Sequence, residues 1–180
     1  SLVEVWNPQR YNYNATVAEN LLFGSPVGPV FAIDSMAENT YVLEVLEKVG
    51  MTGDFLDMGV QVARTMIELF ADLPPGHQFF EQFSFISSED LPDFQPIVAK
   101  ADKDGVDSLK PEEKRRLMAL PFKLIPARHR LGLMNPDLER RLLEARQVFA
   151  RDLPDALRGC VEFFVEDAYN AASTIQDNIL

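Results

Sequence analysis

Apolar residues recur at helical spacing through most of this chain, and proline, glycine and asparagine separate the stretches. The clearest stretch is 54–70. Phe55, Leu56, Val60, Val62, Ala63, Met66, Ile67, Leu69 and Phe70 fill one wide face, and Asp57, Gln61, Arg64 and Glu68 stand opposite. That is the pattern of an amphipathic helix packed on a core. Residues 34–50 repeat it more weakly through Met36, Tyr41, Val42, Val45, Leu46 and Val49, and Gly50 closes the run. Pro74-Pro75-Gly76 breaks the chain, leaving about two turns over 77–83. Ser88, Glu89 and Asp90 read as a helix start that Pro92 and Pro96 shorten or kink. Residues 101–108 read as a polar loop, with Ser108 capping a helix that has Pro111 in its first turn and runs to Leu120. A short helix is expected over 124–131, ended by Gly132. Asn135-Pro136-Asp137 is the strongest start, combining a cap, a proline at the first position and an acid near the helix dipole. Its buried stripe is Leu138, Leu142, Ala145 and Phe149.

Near the amino end the pattern predicts a helix over 15–23, with Gly24 just past its end and a linker over 25–29. Two short runs have β character, 3–6 and 161–165. A lone strand leaves its backbone groups unpaired, so 3–6 and 161–164 are expected to lie together and bring the chain ends close. The fold class is therefore mainly α, an irregular helical bundle with a minimal two-stranded β element near the termini. Its expected organisation is 1–24, an inserted helical region of about seven short helices over 25–160, and 161–180, all in one compact domain.

With 180 residues and 47% apolar content, the chain can bury a sizeable core. The net charge of −11 opposes nonspecific attraction to nucleic acid or to anionic lipid, both of which reward clustered Lys and Arg. A single cysteine, Cys160, excludes an internal disulfide and suits a reducing compartment. No apolar run approaches the ~20 residues that span a bilayer.

The two ends of the chain repeat each other. Tyr11-Asn12-Tyr13-Asn14-Ala15-Thr16-Val17-Ala18-Glu19-Asn20-Leu21-Leu22 lies without gaps on Tyr169-Asn170-Ala171-Ala172-Ser173-Thr174-Ile175-Gln176-Asp177-Asn178-Ile179-Leu180. Carried back, the same offset places Val3-Glu4-Val5-Trp6 on Val161-Glu162-Phe163-Phe164. A repeat found only at the two ends is one unit duplicated on either side of an insertion, not a solenoid. The pattern aromatic-Asn-x-x-x-Thr-Val/Ile-x-acid-Asn-Leu/Ile-Leu, continued here by Phe23-Gly24, resembles a segment of exporter-type ABC transporter ATP-binding domains. In that family the segment opens the helical subdomain. The match covers about a fifth of the chain, while the middle resembles, on weaker motif support, an insertion found in some bacterial ABC proteins.

The resemblance implies a non-catalytic segment that couples or regulates ATP-driven transport on the cytoplasmic side of the bacterial inner membrane. Tyr11, Asn12, Thr16, Glu19 and Asn20, with their copies Tyr169, Asn170, Thr174, Asp177 and Asn178, would lie near the groove that meets the transmembrane helices. The implied partners are the rest of the ATP-binding domain and its transmembrane domain. ATP and Mg would belong to the parent protein. No cofactor is expected in this piece, because no glycine is followed by lysine, nothing reads Leu-Ser-Gly-Gly-Gln, and no apolar run ends in Asp-Glu. Ser1-Leu2, without a leading Met, reads as the cut end of an excised piece. Twin ends also permit exchange between protomers, hence a swapped homodimer. The alternative is a free-standing helical module for protein–protein contact.

Other chemistry is thin. Asp102, Asp104 and Glu113 imitate positions 1, 3 and 12 of a calcium loop, but Val106 and Asp107 stand where an oxygen ligand and a glycine belong, so a solvated loop is expected and no metal site. His77 and His129 fall in different helices without ligand-spaced partners. Cys160 precedes an apolar run and reads as a buried thiol. The basic clusters 114–116, 128–130 and 140–141 alternate with acids, as on ion-paired solvated faces.

Overall fold

The computed structural model describes residues 6–83 and 85–165. Val3, Glu4 and Val5 and the second copy from Glu166 onward, with Tyr169, Asn170, Thr174, Asp177 and Asn178, lie outside the described residues. The fold is mainly α, with one two-stranded antiparallel sheet among the described residues. It divides into two compact units, Ser1–Met51 with Ile125–Leu180, and Thr52–Leu124. These limits differ from the boundaries at 24 and 160 that the repeat suggests. Residues 25–51 and 125–160 fold with the amino-terminal segment rather than apart from it.

In the first unit α1 (Val17–Leu22) and α2 (Thr40–Lys48) both pack on α8 (Pro136–Asp152). Asn135 caps α8 by accepting a hydrogen bond from the Leu138 N–H at 2.9 Å, and Leu138, Leu142, Ala145 and Phe149 are buried as the spacing predicts. Phe149 sits at the centre of the core, with Phe31 at 5.2 Å and Tyr41 at 5.3 Å between ring centroids. The Tyr41 hydroxyl donates to the Phe149 carbonyl at 2.6 Å. The expected helix over 34–50 is interrupted. A 3₁₀ turn spans Ile33–Glu38, and Asn39 then starts α2 by accepting from the Val42 N–H at 3.1 Å. The expected helix over 124–131 shrinks to α7 (Pro126–His129), because Arg130 turns into the left-handed region at φ 51°.

The sheet corrects two expectations. Strand β2 (Val161–Phe163) pairs antiparallel with β1 (Gly24–Pro26), in the stretch read as a linker, with Gly24 opposite Phe163 and Pro26 opposite Val161. Trp6, the described part of the expected partner strand, is not in a strand but stacks its ring on Phe164 at 4.1 Å. Gly24 also has a different task from closing α1. Phe23 takes the left-handed position at φ 48°, whereas a Cβ on Gly24 would lie 2.5 Å from the Glu162 carbonyl oxygen. The glycine is there for strand approach.

The second unit is built on α3 (Thr52–Phe70), which packs against α5 (Leu91–Asp104) and α6 (Pro111–Ala119). Gly59 is where α3 touches α6, and a Cβ there would collide with the Leu117 carbonyl. Phe55 and Phe122 fill the core beside it at 4.9 Å. Helix α5 runs through Pro96 and on to Asp104, where Gly105 ends it at φ 85°. Residues 101–104 are thus helix rather than loop. Ser108 does not cap α6. Its hydroxyl donates to the Gly105 carbonyl at 2.6 Å, and Glu113 reaches back to accept from the Lys110 N–H at 2.9 Å. Between α3 and α5 lies α4 (Gln78–Gln82), five residues with none buried.

Candidate functional site

The segment carrying the motif folds as a loop that feeds a capped helix. Thr16 Oγ1 accepts from the Glu19 N–H at 3.0 Å, and Glu19 Oε1 accepts from the Thr16 N–H at 3.2 Å, a reciprocal capping box. Asn20, 1% exposed, turns its side chain back to the loop. Its amide donates to the Asn12 and Thr16 carbonyls, both at 2.9 Å, and its oxygen accepts from the Asn12 N–H at 2.8 Å. Asn12 Oδ1 in turn accepts from the Asn14 N–H at 2.9 Å. The motif residues Asn12, Thr16, Glu19 and Asn20 therefore spend polar atoms on the chain itself.

Beneath the loop lies Arg146 of α8, 4% exposed. Its Nε donates to the Asn20 carbonyl at 2.8 Å and Nη2 to Asn20 Oδ1 at 3.1 Å. Nη1 reaches the carbonyls of Asn7 at 3.3 Å, Pro8 at 2.9 Å and Arg10 at 3.1 Å. The guanidinium carbon sits 4.4 Å from the centroid of the Phe23 ring, an arrangement that adds cation–π attraction. The planar fork is thus matched by peptide oxygens, with one ring below it. Burial lowers its pKa to about 10, so it stays charged at neutral pH.

This buried cation was missed in the sequence, although a signal was present. Arg146 lies four residues after Leu142 and three before Phe149, on the buried stripe of α8. Tyr11, 8% exposed, lies close enough to Arg146 to feel its charge, and its hydroxyl is buried without a hydrogen-bond partner among the described residues. Burial drives its pKa well above the ordinary tyrosine value.

Outward, Trp6 and the loop 7–14 line a groove of about 440 Å³. Arg10 and Asn14 are exposed, as is Tyr13 at 43%. The Tyr13 carbonyl accepts from the Ala127 N–H at 3.0 Å, and a hydrogen bond to Glu139 raises its hydroxyl pKa to about 12. The groove offers aromatic faces, amides and a guanidinium, groups that suit binding of a polar or aromatic partner.

The remaining candidates are separate from it. Asp102 pairs with Arg64 from within α5, Asp104 is exposed on the same helix, and Glu113 is engaged at the start of α6. They do not form a calcium loop, and no group of three metal-ligating side chains occurs among the described residues. His77 starts α4 by accepting from the Phe79 N–H at 3.2 Å. His129 is buried, and its Nδ1 accepts from the Ile125 N–H at 2.9 Å. Burial, assisted by the charge of Arg128, lowers its pKa. Cys160 is half-buried, and its carbonyl accepts from the Val27 N–H at 2.9 Å. No described helix is long and apolar enough to cross a membrane. Comparison of the chain with protein-family models, curated proteins and solved structures found no match.

Proposed function

We propose that this chain is a non-catalytic helical segment of an exporter-type ABC transporter ATP-binding protein, coupling or regulating ATP-driven transport. The observation that carries the reading is the loop–cap–helix geometry of the first copy. The letters shared with the family segment have structural tasks. Thr16 and Glu19 close the capping box, and Asn20 locks the loop to the helix through Asn12. A segment whose letters are set by such a geometry can recur as a unit, and Tyr169, Asn170, Thr174 and Asn178 repeat Tyr11, Asn12, Thr16 and Asn20, with Asp177 in the place of Glu19.

In this reading the outward faces of Trp6, Arg10, Tyr13 and Asn14 meet the rest of the ATP-binding domain and its transmembrane partner, on the cytoplasmic side of the membrane. Thr16, Glu19 and Asn20 hold that surface in shape. Arg146 supplies the coupling element, because its hydrogen bonds tie the loop to the 17-residue helix α8, so a displacement of the loop is carried into the inserted helices.

The test is the reading frame beyond codon 180. The expected continuation is Phe-Gly followed later by Leu-Ser-Gly-Gly-Gln and an apolar run ending in Asp-Glu. A stop directly after Leu180 would overturn the assignment in favour of a free-standing interaction module. Titration of the purified chain with MgATP is an independent check: no saturable binding is expected, and micromolar affinity would sink the non-catalytic reading.

A further inference from the structure

A second concave surface lies wholly within the unit Thr52–Leu124 and is independent of the transporter reading. It is a cleft of about 430 Å³ whose walls include Phe80, Phe85, Phe94 and Leu120, with Arg116 and Lys123 also lining it. Phe85, Phe94 and Leu120 are buried residues of this unit's core, so the floor is apolar. Arg116 lies over the face of Phe94, its guanidinium carbon 4.9 Å from the ring centroid. Among the described residues its ion pair is a single 3.5 Å contact with Asp93, which is itself exposed, so most of its N–H donors remain available to a ligand. The lining holds two cations and one acid, Asp90, on a chain whose net charge is −11. With Asp93 beside Arg116 the formal charges at the cleft cancel, so on this acidic chain it is a locally less acidic patch, and the guanidinium fork laid on the aromatic floor is the group that selects an anion.

We infer that this cleft binds a small amphipathic anion, an acyl or aryl carboxylate. The apolar tail lies along Phe80, Phe85 and Phe94, and the carboxylate meets Arg116 and Lys123. The size argues for a small molecule over a partner helix. A cleft of about 430 Å³ falls in the range of roughly 300–1,000 Å³ typical of ligand pockets, whereas a helix with its side chains is about 10–12 Å across. Arg supplies the planar fork that matches a carboxylate, and Lys supplies a point charge.

The experiment is calorimetric titration of the whole chain with decanoate and with decyltrimethylammonium, two probes with the same tail and opposite heads. Decanoate is expected to bind saturably at one site, and the cation at least about tenfold more weakly, the worth of one charge-assisted hydrogen bond. The double variant Arg116→Gln, Lys123→Gln changes one exposed and one half-buried side chain of the cleft wall and should erase that preference. Ala119→Trp, on the cleft wall, should abolish decanoate binding while the circular dichroism spectrum is retained. Absence of decanoate binding, equal binding of the two probes, or an unchanged preference in the double variant would each overturn the inference. If the tryptophan variant does not fold, the double variant alone decides.

Discussion

At the scale of single residues, Arg146 is the most consequential side chain described. Its charge is fully withdrawn from water and balanced by backbone oxygens rather than by a carboxylate. Removing it would leave the buried Asn20 carbonyl and amide oxygen without this donor, strip a donor from the part-buried carbonyls of Asn7, Pro8 and Arg10, and open a void under Phe23, together a cost comparable to breaking a buried ion pair. Arg146→Ala is expected to destabilise by about 3–5 kcal/mol, read from urea unfolding. Arg146→Lys should recover only part of that, since an ammonium cannot span the same fork of acceptors. Tyr11 makes the opposite case. Its hydroxyl is desolvated and has no partner among the described residues, so Tyr11→Phe should be neutral or stabilising by up to about 1–3 kcal/mol. A clear loss of stability in that variant would show that the hydroxyl has a partner after all. Neither residue announced itself by type. An arginine among leucines reads as a solvated position until its spacing from Leu142 and Phe149 is counted, and the carbonyls that hold it come from a loop more than a hundred positions away.

At the scale of elements, what could be read depended on whether the deciding interaction was local. The start of α8 was legible because Asn135, Pro136 and Asp137 act on their own turn. The face of α3 was legible because its periodicity runs over 19 residues. The sheet was not, since β1 and β2 are three residues each and what sets their pairing is the missing Cβ of Gly24, read as a helix stop. The extent of α5 was misjudged because proline and aspartate signals argue for a loop, yet Ile97, Val98 and Ala101 are buried and hold the helix to Gly105. Gly59 offers a clean test, because two effects oppose each other. Alanine gains about 1 kcal/mol of helix propensity over glycine, while its Cβ would overlap the Leu117 carbonyl and force α3 and α6 apart. Overpacking of this kind costs about 1–3 kcal/mol or more, so the clash should win. Gly59→Ala is expected to lower the melting temperature, and Gly53→Ala, with nothing within 4 Å of the added carbon, should not. Thr16→Ala should cost about 1 kcal/mol through loss of the capping box.

At the scale of the whole molecule, the sequence disclosed the mainly helical class and a repeat at its ends, but not the division into Ser1–Met51 with Ile125–Leu180 and Thr52–Leu124. Repeat limits mark likeness between stretches of chain, whereas compact units follow burial, and Phe31, Tyr41 and Phe149 place parts of the apparent insertion in the core of the first unit. The response to pH tests this picture through opposing contributions. With a net charge of −11 and an isoelectric point near 4.6, acidification from neutrality relieves self-repulsion, which by itself favours the folded state. His129 acts against it. Its pKa is lowered by burial and by Arg128, so below its ordinary value of about 6.5 the unfolded chain takes up the proton first. The stability it contributes is present above that pH and is lost as pH falls through the folded value. Protonation also removes the lone pair that accepts from the Ile125 N–H, loosening the turn that bonds to Tyr13 through Ala127. The urea midpoint should therefore fall between pH 7 and pH 5 even as net charge declines. His129→Gln should be less stable at pH 7 but should lose that fall, leaving the gain from reduced repulsion. A variant that kept the same acid decline would place its origin elsewhere, in the carboxylates of Asp137 and Asp152, whose pKa values are lowered by their arginine partners and whose contribution is lost only at still lower pH.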